Sequence, residues 1–241
     1  MSFTLIRRRK IHEDVAAQIE DAIISGLYAE GDQLPPEREL MEHFGVGRPA
    51  VREALLLLER SGVVQLSAGE RARVVHPTID GLVDQISASA RHFLATKAGE
   101  QSLQEARRVI ESAIARNAAE YATPEEIQRL ERALDANRQS LDSLDDFETT
   151  DVAFHFAIAE IGGNQVFSAM HRAIVGWLAL QRHVSLRSSP EALPSALAHH
   201  VAIFEAIARR EPERAWQTMN DHIRDVERWY RQGRGSENGA K

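Results

Sequence analysis

Apolar residues recur at helical spacing along the first 60 positions, and short turns containing glycine or proline interrupt them. This spacing predicts helices, after which two β-prone runs flank a turn at Ala68-Gly69. The predicted elements are three helices over 10–25, 36–44 and 48–61 and two strands over 63–66 and 72–75. Three short helices followed by a hairpin are typical of a winged helix-turn-helix domain, which would span residues 1–77.

From residue 78 onward the pattern is almost entirely helical. Breaks such as Thr123-Pro124 and Glu211-Pro212 divide this half into separate helices. The predicted helices cover 80–95, 102–121, 124–141, 146–161, 165–183, 191–209 and 212–231. The sequence therefore predicts a mainly α protein, in which an all-α helical-bundle domain over 78–232 follows the winged helix. A polar, glycine-rich tail over 233–241 is predicted to be disordered.

Composition restricts the chemistry available to this chain. Its 241 residues include no cysteine, which excludes disulfides, thiolate nucleophiles and cysteine zinc sites and agrees with a reducing cytoplasm, where we expect the protein. We identify no signal peptide, and no apolar run reaches the roughly 18 residues that a membrane span requires. The net charge of -7 does not favour nucleic acid, so a DNA-binding prediction depends on where the arginines lie.

Arginines cluster at the start of the third predicted helix, the element that reads DNA in a helix-turn-helix. Arg48 and Arg52 are four residues apart and share one face, and arginine suits bidentate contact with guanine. Arg38 begins the preceding helix, where it could reach a phosphate or a base edge. The alternative is that these arginines pair on a solvated surface with nearby carboxylates, namely Glu37, Glu39, Glu53 and Glu70.

Glycines extend the predicted DNA-contact surface. Gly47 permits close backbone approach, and the free amides of a helix N-terminus suit a phosphate. Gly69 allows the tight turn at the wing tip, from which Arg71 or Arg73 could follow the DNA backbone or enter the minor groove. The surface would therefore include both the third helix and the wing.

The segment LPPERELMEHFGVGRPAVREALLLLERSGVV resembles the DNA-binding signature of the GntR family of bacterial transcription regulators. The similarity covers nearly all of residues 10–76 and implies a winged helix that binds DNA. By this resemblance, the family's DNA-contacting positions are occupied here by Arg38, Arg48, Arg52 and Gly69. The family often has Ser or Thr where this chain has Gly47 and Pro49, so hydroxyls that can contact phosphate are missing and the half-site sequence is not implied.

An aspartate and a histidine interrupt the apolar face of the helix predicted over 146–161. Asp151 and His155 are four residues apart among apolar neighbours, where an unpaired carboxylate would be costly to bury. His200 and His222 lie in similar apolar stripes of two later helices. Three histidines and one carboxylate suit Zn(II), Ni(II) or Mn(II). The alternative is that each histidine is an ordinary core or surface residue, and the spacing leaves both interpretations open.

Residues 80–231 are similar to the all-helical effector domain of the FadR subfamily of GntR regulators, the FCD domain. The similarity rests on RRVIE at 107–111, DVAFHFAIAEIGGN at 151–164, HVAIFEAI at 200–207 and MNDHI at 219–223. In metal-binding members these positions ligate a divalent ion, which the resemblance assigns to Asp151, His155, His200 and His222. It also places Arg107 beside the metal, as a fork for the carboxylate of a small acid. The alternative for Arg107 is an ion pair with Glu111 on a solvated face.

A sensor explains these features better than an enzyme does. Hydrolysis at a metal-bound water would need a nearby general base, and none stands at a fixed spacing from the four ligands, as in HExxH. A sensor would be a DNA-binding regulator, most simply a repressor, in which a small carboxylate binds beside the metal and changes the affinity for DNA. A regulator that responds to the metal alone and a metal-dependent hydrolase are the alternatives.

One winged helix makes too few contacts for typical operator affinity, so we expect a homodimer on a pseudo-palindromic double-stranded operator. The apolar helix over 165–183 could form the dimer interface or equally the centre of the domain. The strings SAGERARV and ELMEHFGVGRPAVREAL resemble NanR-type regulators of sialic acid catabolism, which implies N-acetylneuraminate or another sugar acid as the effector. Gluconate, lactate and dicarboxylates stay open, because the pocket lining decides among them.

Overall fold

The computed structural model describes residues 10–79, 81, 83, 93, 94 and 96–238. The chain divides into two compact units, Met1–Leu82 and Val83–Lys241. The helix predicted over 80–95 lies largely outside the described residues and stays a prediction. Each unit contains its own buried apolar core, which is what a domain needs to fold.

The N-terminal unit has three helices and a two-stranded hairpin, which confirms the predicted winged helix. Its elements are α1 (Ile11–Ile24), α2 (Glu37–Phe44), α3 (Arg48–Arg60), β1 (Val64–Gln65) and β2 (Arg73–Val74). The strands pair antiparallel with Val64 opposite Val74, and each is shorter than the run that predicted it. An isolated bridge from Gln33 to Arg73 joins the hairpin to the segment before α2.

Apolar side chains from all of these elements meet in the N-terminal core. Val51 and Leu58 of α3 are buried in it together with Val15 of α1. Gly45 ends α2 with φ 63, a left-handed backbone that glycine adopts without strain. Because this turn is so tight, α3 begins only three residues later, at Arg48.

In its described part, the C-terminal unit is entirely helical. The helices are α4 (Lys97–Tyr121), α5 (Pro124–Gln139), α6 (Leu144–Glu160), α7 (Gln165–Trp177), α8 (Ala179–Arg187), α9 (Ala192–Ala208) and α10 (Pro212–Asn238). Side-chain caps explain several of their starts: Thr123 and Glu126 form a capping box at α5, and Asn164 caps α7. None of the described helices is both long enough and apolar enough to cross a bilayer.

Five helices, α4, α5, α6, α9 and α10, surround the main core of the C-terminal unit. Ala115, Ala118 and Ala119 of α4 are fully buried, and such small side chains allow neighbouring helices to approach closely. Phe154 and Met219 fill the space between them. The same helices also bury carboxylate, guanidinium and imidazole groups, each of which needs a partner in order to be stable there.

The single apolar helix predicted over 165–183 is wrong, because α7 and α8 are separate helices. They meet at Leu178, whose backbone leaves the α-helical region at φ -106 and ψ 10. The Leu178 side chain is buried with Leu103 and Ile174. Since α7 packs on α4 and α6 while α8 packs mainly on α10, the break lets this segment contact both sets of helices.

The last helix extends beyond its predicted end at residue 231. The sequence predicts a disordered tail over 233–241, whereas α10 continues to Asn238 and the last three residues lie outside the described part. At Gly233 a Cβ atom would lie 2.9 Å from Val184 Cγ1 on α8, so glycine permits close packing of the two helices. The next residue, Arg234, pairs with a glutamate of α4 at 3.0 Å. Gly233 therefore allows α10 to pack closely against α8.

Leu58→Ala should lower the free energy of unfolding of the N-terminal unit by about 2–5 kcal/mol, because the side chain is 1% exposed and its loss leaves a cavity. Leu56→Ala, on the same helix but 47% exposed, should change it by less than about 0.5 kcal/mol. Urea unfolding followed by circular dichroism measures both changes. Equal losses would contradict the assignment of the buried face of α3.

Candidate metal and DNA-contact sites

The arginines at the start of α3 are exposed and share one carboxylate partner. Arg48 and Arg52 are 68% and 67% exposed, and their Nε atoms lie 3.1 and 3.6 Å from the two oxygens of Glu37. Arg38 is more exposed still and pairs with Glu42 at 3.5 Å. The pairing with Glu37 agrees with the alternative interpretation of the sequence, in which these arginines pair with nearby carboxylates on the surface. Exposed pairs of this kind contribute little to stability, so a phosphate or base can replace the carboxylate at small cost.

The backbone around α3 leaves the helix start uncovered. Gly47 caps α3 in an extended conformation with no side-chain hydrogen bond, and Pro49 follows in the first turn. At the wing, Gly69 has φ 80 and nothing lies near the position of its missing side chain. Arg71 is exposed beside it, whereas Arg73 donates to the backbone of the segment before α2. Arg71 is therefore better placed than Arg73 to contact a ligand.

In the C-terminal unit, three helices bring the predicted ligand set together. Asp151 and His155 come from α6, His200 from α9 and His222 from α10, and all four are buried. One potential ligand atom from each lies within 4.8 Å of every other. The convergence that the sequence predicts is therefore present.

Hydrogen bonds fix the orientation of His200. Its Nδ1 lies 2.8 Å from Asn137 Oδ1, and the amide nitrogen of Asn137 donates to Thr150 Oγ1 at 3.0 Å. Since the Asn137 oxygen accepts, Nδ1 of His200 carries the proton and Nε2 carries the lone pair. That lone pair faces Asp151 Oδ1 at 3.4 Å and has no hydrogen-bond donor among the described residues. Two acceptors that face each other in a buried space repel, and either a proton or a metal ion between them would remove this repulsion.

The other two ligands have a similar spacing. Nε2 of His155 and Nε2 of His222 lie 3.2 Å apart. Ligand atoms bound at about 2.0–2.1 Å to one tetrahedral zinc ion are about 3.3–3.4 Å from one another. Both of these separations are close to that value, while the ligand atoms of the whole set are up to 4.8 Å apart and would have to move closer around an ion. Burial lowers the pKa of His200, and burial together with the neighbouring imidazoles lowers that of His222 well below its ordinary value. Both rings are therefore neutral near pH 7, the form that binds metals.

The buried carboxylate of Glu111 faces Nδ1 of His155, the ring nitrogen that does not face His222. Glu111 Oε2 lies 3.2 Å from His155 Nδ1, and Arg107 donates through Nε to Glu111 Oε1 at 2.8 Å. Burial alone would raise the pKa of Glu111, but Arg107 and His155 hold it well below its ordinary value. The ion pair between Arg107 and Glu111, which the sequence offers as the alternative for Arg107, is thus present, but it is buried at 3% exposure and not on a solvated face.

A second buried arginine contacts the ligand set directly. Arg182 of α8 donates through Nε to Asp151 Oδ2 at 3.0 Å. Burial alone would raise the pKa of Asp151, but the neighbouring His200, His155 and Arg182 lower it well below its ordinary value. Asp151 is therefore ionised and can act as a ligand.

Comparison with known proteins identifies both units. Residues 11–74 match the family described as bacterial regulatory proteins, gntR family, and residues 102–225 match the FCD domain. The HTH-type transcriptional repressor NanR of Klebsiella aerogenes is 41% identical over 237 residues, which are 98% of this chain and 91% of the relative. This chain belongs to the GntR family.

Solved structures agree with this assignment. A Streptococcus agalactiae GntR protein is 25% identical to the GntR-family chain described here, with a TM-score of 0.61, and covers 90% of this chain and 99% of its own. Escherichia coli McbR/YncC, at 16% identity and a TM-score of 0.51, covers 93% of this chain and 99% of its own and shares the fold. The protein is a regulator rather than an enzyme, as the sequence predicts.

Three buried residues of this GntR regulator that contact the four ligands are not predicted from the sequence: Asn137, which pairs with His200, Arg182 and His171. Arg182 was missed because a continuous helix over 165–183 gives the wrong rotational phase after Leu178, where the helix breaks. His171 of α7 has no sequence signal that distinguishes it from the other histidines, of which the chain has ten in all. Its ring stacks 6.2 Å from that of His155, and burial lowers its pKa to about 4.

His200→Ala should weaken zinc binding by more than about 100-fold, since loss of a ligand costs more than the roughly 10–100-fold that loss of an outer partner costs. Equilibrium dialysis with metal analysis should find one zinc ion per wild-type chain, and the melting temperature should fall on chelation. His183→Ala, at a partly exposed histidine of α8, is the matched control and should bind zinc normally. Unchanged zinc binding by His200→Ala would show that zinc binds elsewhere.

Proposed function

We propose that this GntR-family protein is a cytoplasmic transcriptional repressor that binds a pseudo-palindromic operator as a homodimer. A small carboxylate, with N-acetylneuraminate or another sugar acid as the first candidate, releases it after binding beside a divalent metal ion. Zinc is the first candidate for the metal, and nickel and manganese are the alternatives. The observation that supports this most is the buried four-ligand cluster in a chain related over nearly its full length to a repressor named NanR.

The proposed DNA surface combines the start of α3 with the wing. On an operator, Arg48 and Arg52 exchange Glu37 for base edges, while Arg38 reaches a phosphate or a base. Their exposure and their weak pairing support this exchange. The complete set of proposed DNA-contact positions is Arg38, Gly47, Arg48, Pro49, Arg52, Gly69 and Arg71.

We place the dimer contact on α7. Ala169 and Ile174 of this helix are buried in the domain, whereas Val166 and Met170 remain substantially exposed. One face of α7 therefore serves the core and the other presents apolar side chains. A second copy of the chain would cover this apolar strip in a symmetric interface.

The effector site lies next to the ligand cluster in this proposal. A divalent ion held by Asp151, His155, His200 and His222 would have to accept an oxygen of the acid as a further ligand, beyond the four from the protein. The protein contributes orientation, through Asn137 on His200 and Glu111 on His155, and excludes water by burying the cluster. A ligand with different affinity for two arrangements of the dimer changes its affinity for DNA.

Operator release tests the proposed effector class. N-acetylneuraminate should dissociate the zinc-loaded protein from a fluorescent operator in an anisotropy titration, and prior chelation should abolish this response. Gluconate, lactate and succinate form the comparison panel. Release by chelation or metal addition alone, with no effect of any acid, would contradict the proposal and identify a metal-responsive regulator.

Arg48→Ala and Arg52→Ala should each weaken binding to the specific operator by about 1–3 kcal/mol, since each removes a base contact. Fluorescence anisotropy at fixed salt measures the loss. Arg60→Ala, an exposed arginine at the other end of α3, is the control and should bind the operator normally. An equal loss on random DNA would show that Arg48 and Arg52 contact phosphates only.

A further inference from the structure

The two buried arginine–carboxylate pairs beside the ligand cluster differ in what their carboxylates do. Arg107 pairs with Glu111, which is outside the four ligands and stands behind His155. Arg182 pairs with Asp151, which is itself one of the four. The presence of an ion at the cluster therefore has different consequences for the two guanidiniums.

The charges of these four groups cancel in the structure. Two buried carboxylates face two buried guanidiniums, and a divalent ion would add two positive charges to a region shielded from water. Uncompensated buried charge is strongly unfavourable, so the loaded cluster favours an anion over a neutral ligand. The remaining question is which guanidinium receives that anion.

Glu111 holds the Arg107 guanidinium in an ion pair, which leaves it less available to an effector. With its Nε2 bound to an ion, His155 becomes a stronger proton donor at Nδ1, which strengthens its interaction with Glu111. Outer carboxylates of this kind orient metal-bound histidines and tune affinity for the ion. Because Glu111 would reach the ion only through His155, it would give up less of its charge than a direct ligand does and would continue to hold the Arg107 guanidinium.

Asp151 behaves differently, because it would divide its charge between the ion and Arg182. Its hold on the Arg182 guanidinium weakens at the moment when the surroundings become more positive. Arg182 is therefore the cation that gains most from a new carboxylate, which its planar fork can bind in bidentate fashion. Its hydrogen bond to Asp151 runs through Nε.

His171 offers a second polar group beside the cluster. Its Nε2 is buried and has no hydrogen-bond partner among the described residues. The imidazole stacks on that of His155, so it borders the ligand set. A buried polar atom without a partner is costly, and a hydroxyl or carboxylate of a bound acid would satisfy it.

We infer that Arg182 binds the effector carboxylate, and that Arg107 is a positioning residue that acts on metal affinity through Glu111 and His155. This division of roles rests on the proposed function and departs from the sequence prediction that Arg107 meets the effector. In this arrangement each ligand raises the affinity for the other. The metal adds positive charge that favours the acid, and the acid adds negative charge that favours the metal.

Two separate measurements on the purified full chain test this division. Competition with a chromogenic chelator gives the affinity for zinc in the absence of acid. The melting temperature of zinc-loaded protein then reports binding of N-acetylneuraminate, gluconate, lactate and succinate. Arg187→Gln, at an exposed arginine of the same helix as Arg182, is the matched control and should behave as wild type in both.

Arg182→Gln should bind zinc within about tenfold of wild type, because removal of a positive charge beside Asp151 favours the ion while the weaker hydrogen bond to Asp151 disfavours it. It should need at least about tenfold more acid for the same thermal shift, in line with loss of a charged hydrogen-bond partner. Arg182→Lys, which keeps the charge without the fork, should retain part of the acid response. An unchanged acid response in both variants would overturn the role of Arg182.

Glu111→Gln should weaken zinc binding by about 10–100-fold, as for other outer carboxylates. The double variant Arg107→Gln/Glu111→Gln removes the pair without leaving an unpaired buried charge and should show the same loss. Wild-type zinc affinity in both variants would overturn the positioning role. If wild-type protein responds to no acid, the proposed effector class fails, and the zinc measurements still decide the role of Glu111.

Discussion

Burial of ionised groups is the constraint on which the C-terminal unit depends. Asp151 and Glu111 are shielded from water by the helices around them, and neither could remain charged there alone. Each has a guanidinium and an imidazole as neighbours. These contacts join α4, α6, α8 and α9, so the polar cluster restricts how these four helices can pack.

The sequence predicts much of this arrangement because the buried face of a helix appears in the sequence as apolar residues at regular spacing. Asp151 and His155 interrupt an apolar stripe at helical spacing, and His200 and His222 interrupt two others. A polar side chain in an apolar stripe has to face the core, so three such helices in one small domain bring their polar groups together. The winged helix is predictable for a related reason, since its glycine turns and apolar spacing follow local rules.

Other features depend on packing between elements distant in the chain and have no local signal. Arg182 acquires its position from the helix break at Leu178, which follows from the burial of that side chain against α4. Gly233 begins a stretch whose polar, glycine-rich composition is typical of a flexible tail, yet this glycine permits a close contact with α8. The pair of Arg107 and Glu111 has the spacing of a surface ion pair, and only the neighbouring helices make it a buried one. In each case the physical determinant is a tertiary contact.

The same kind of pair, arginine with carboxylate, occurs in both units under opposite conditions. Arg48 and Arg52 share Glu37 at the surface, where water replaces the carboxylate easily and the polyanionic DNA backbone can compete for the guanidiniums. Arg182 holds Asp151 in a region where water cannot replace it. In our proposal, exchange there would need a small anion and a metal ion that weakens the existing pair. Burial therefore distinguishes the two kinds of pair: DNA can compete for the exposed pairs, whereas in our proposal the buried pair would exchange only with a small acid that binds together with the metal.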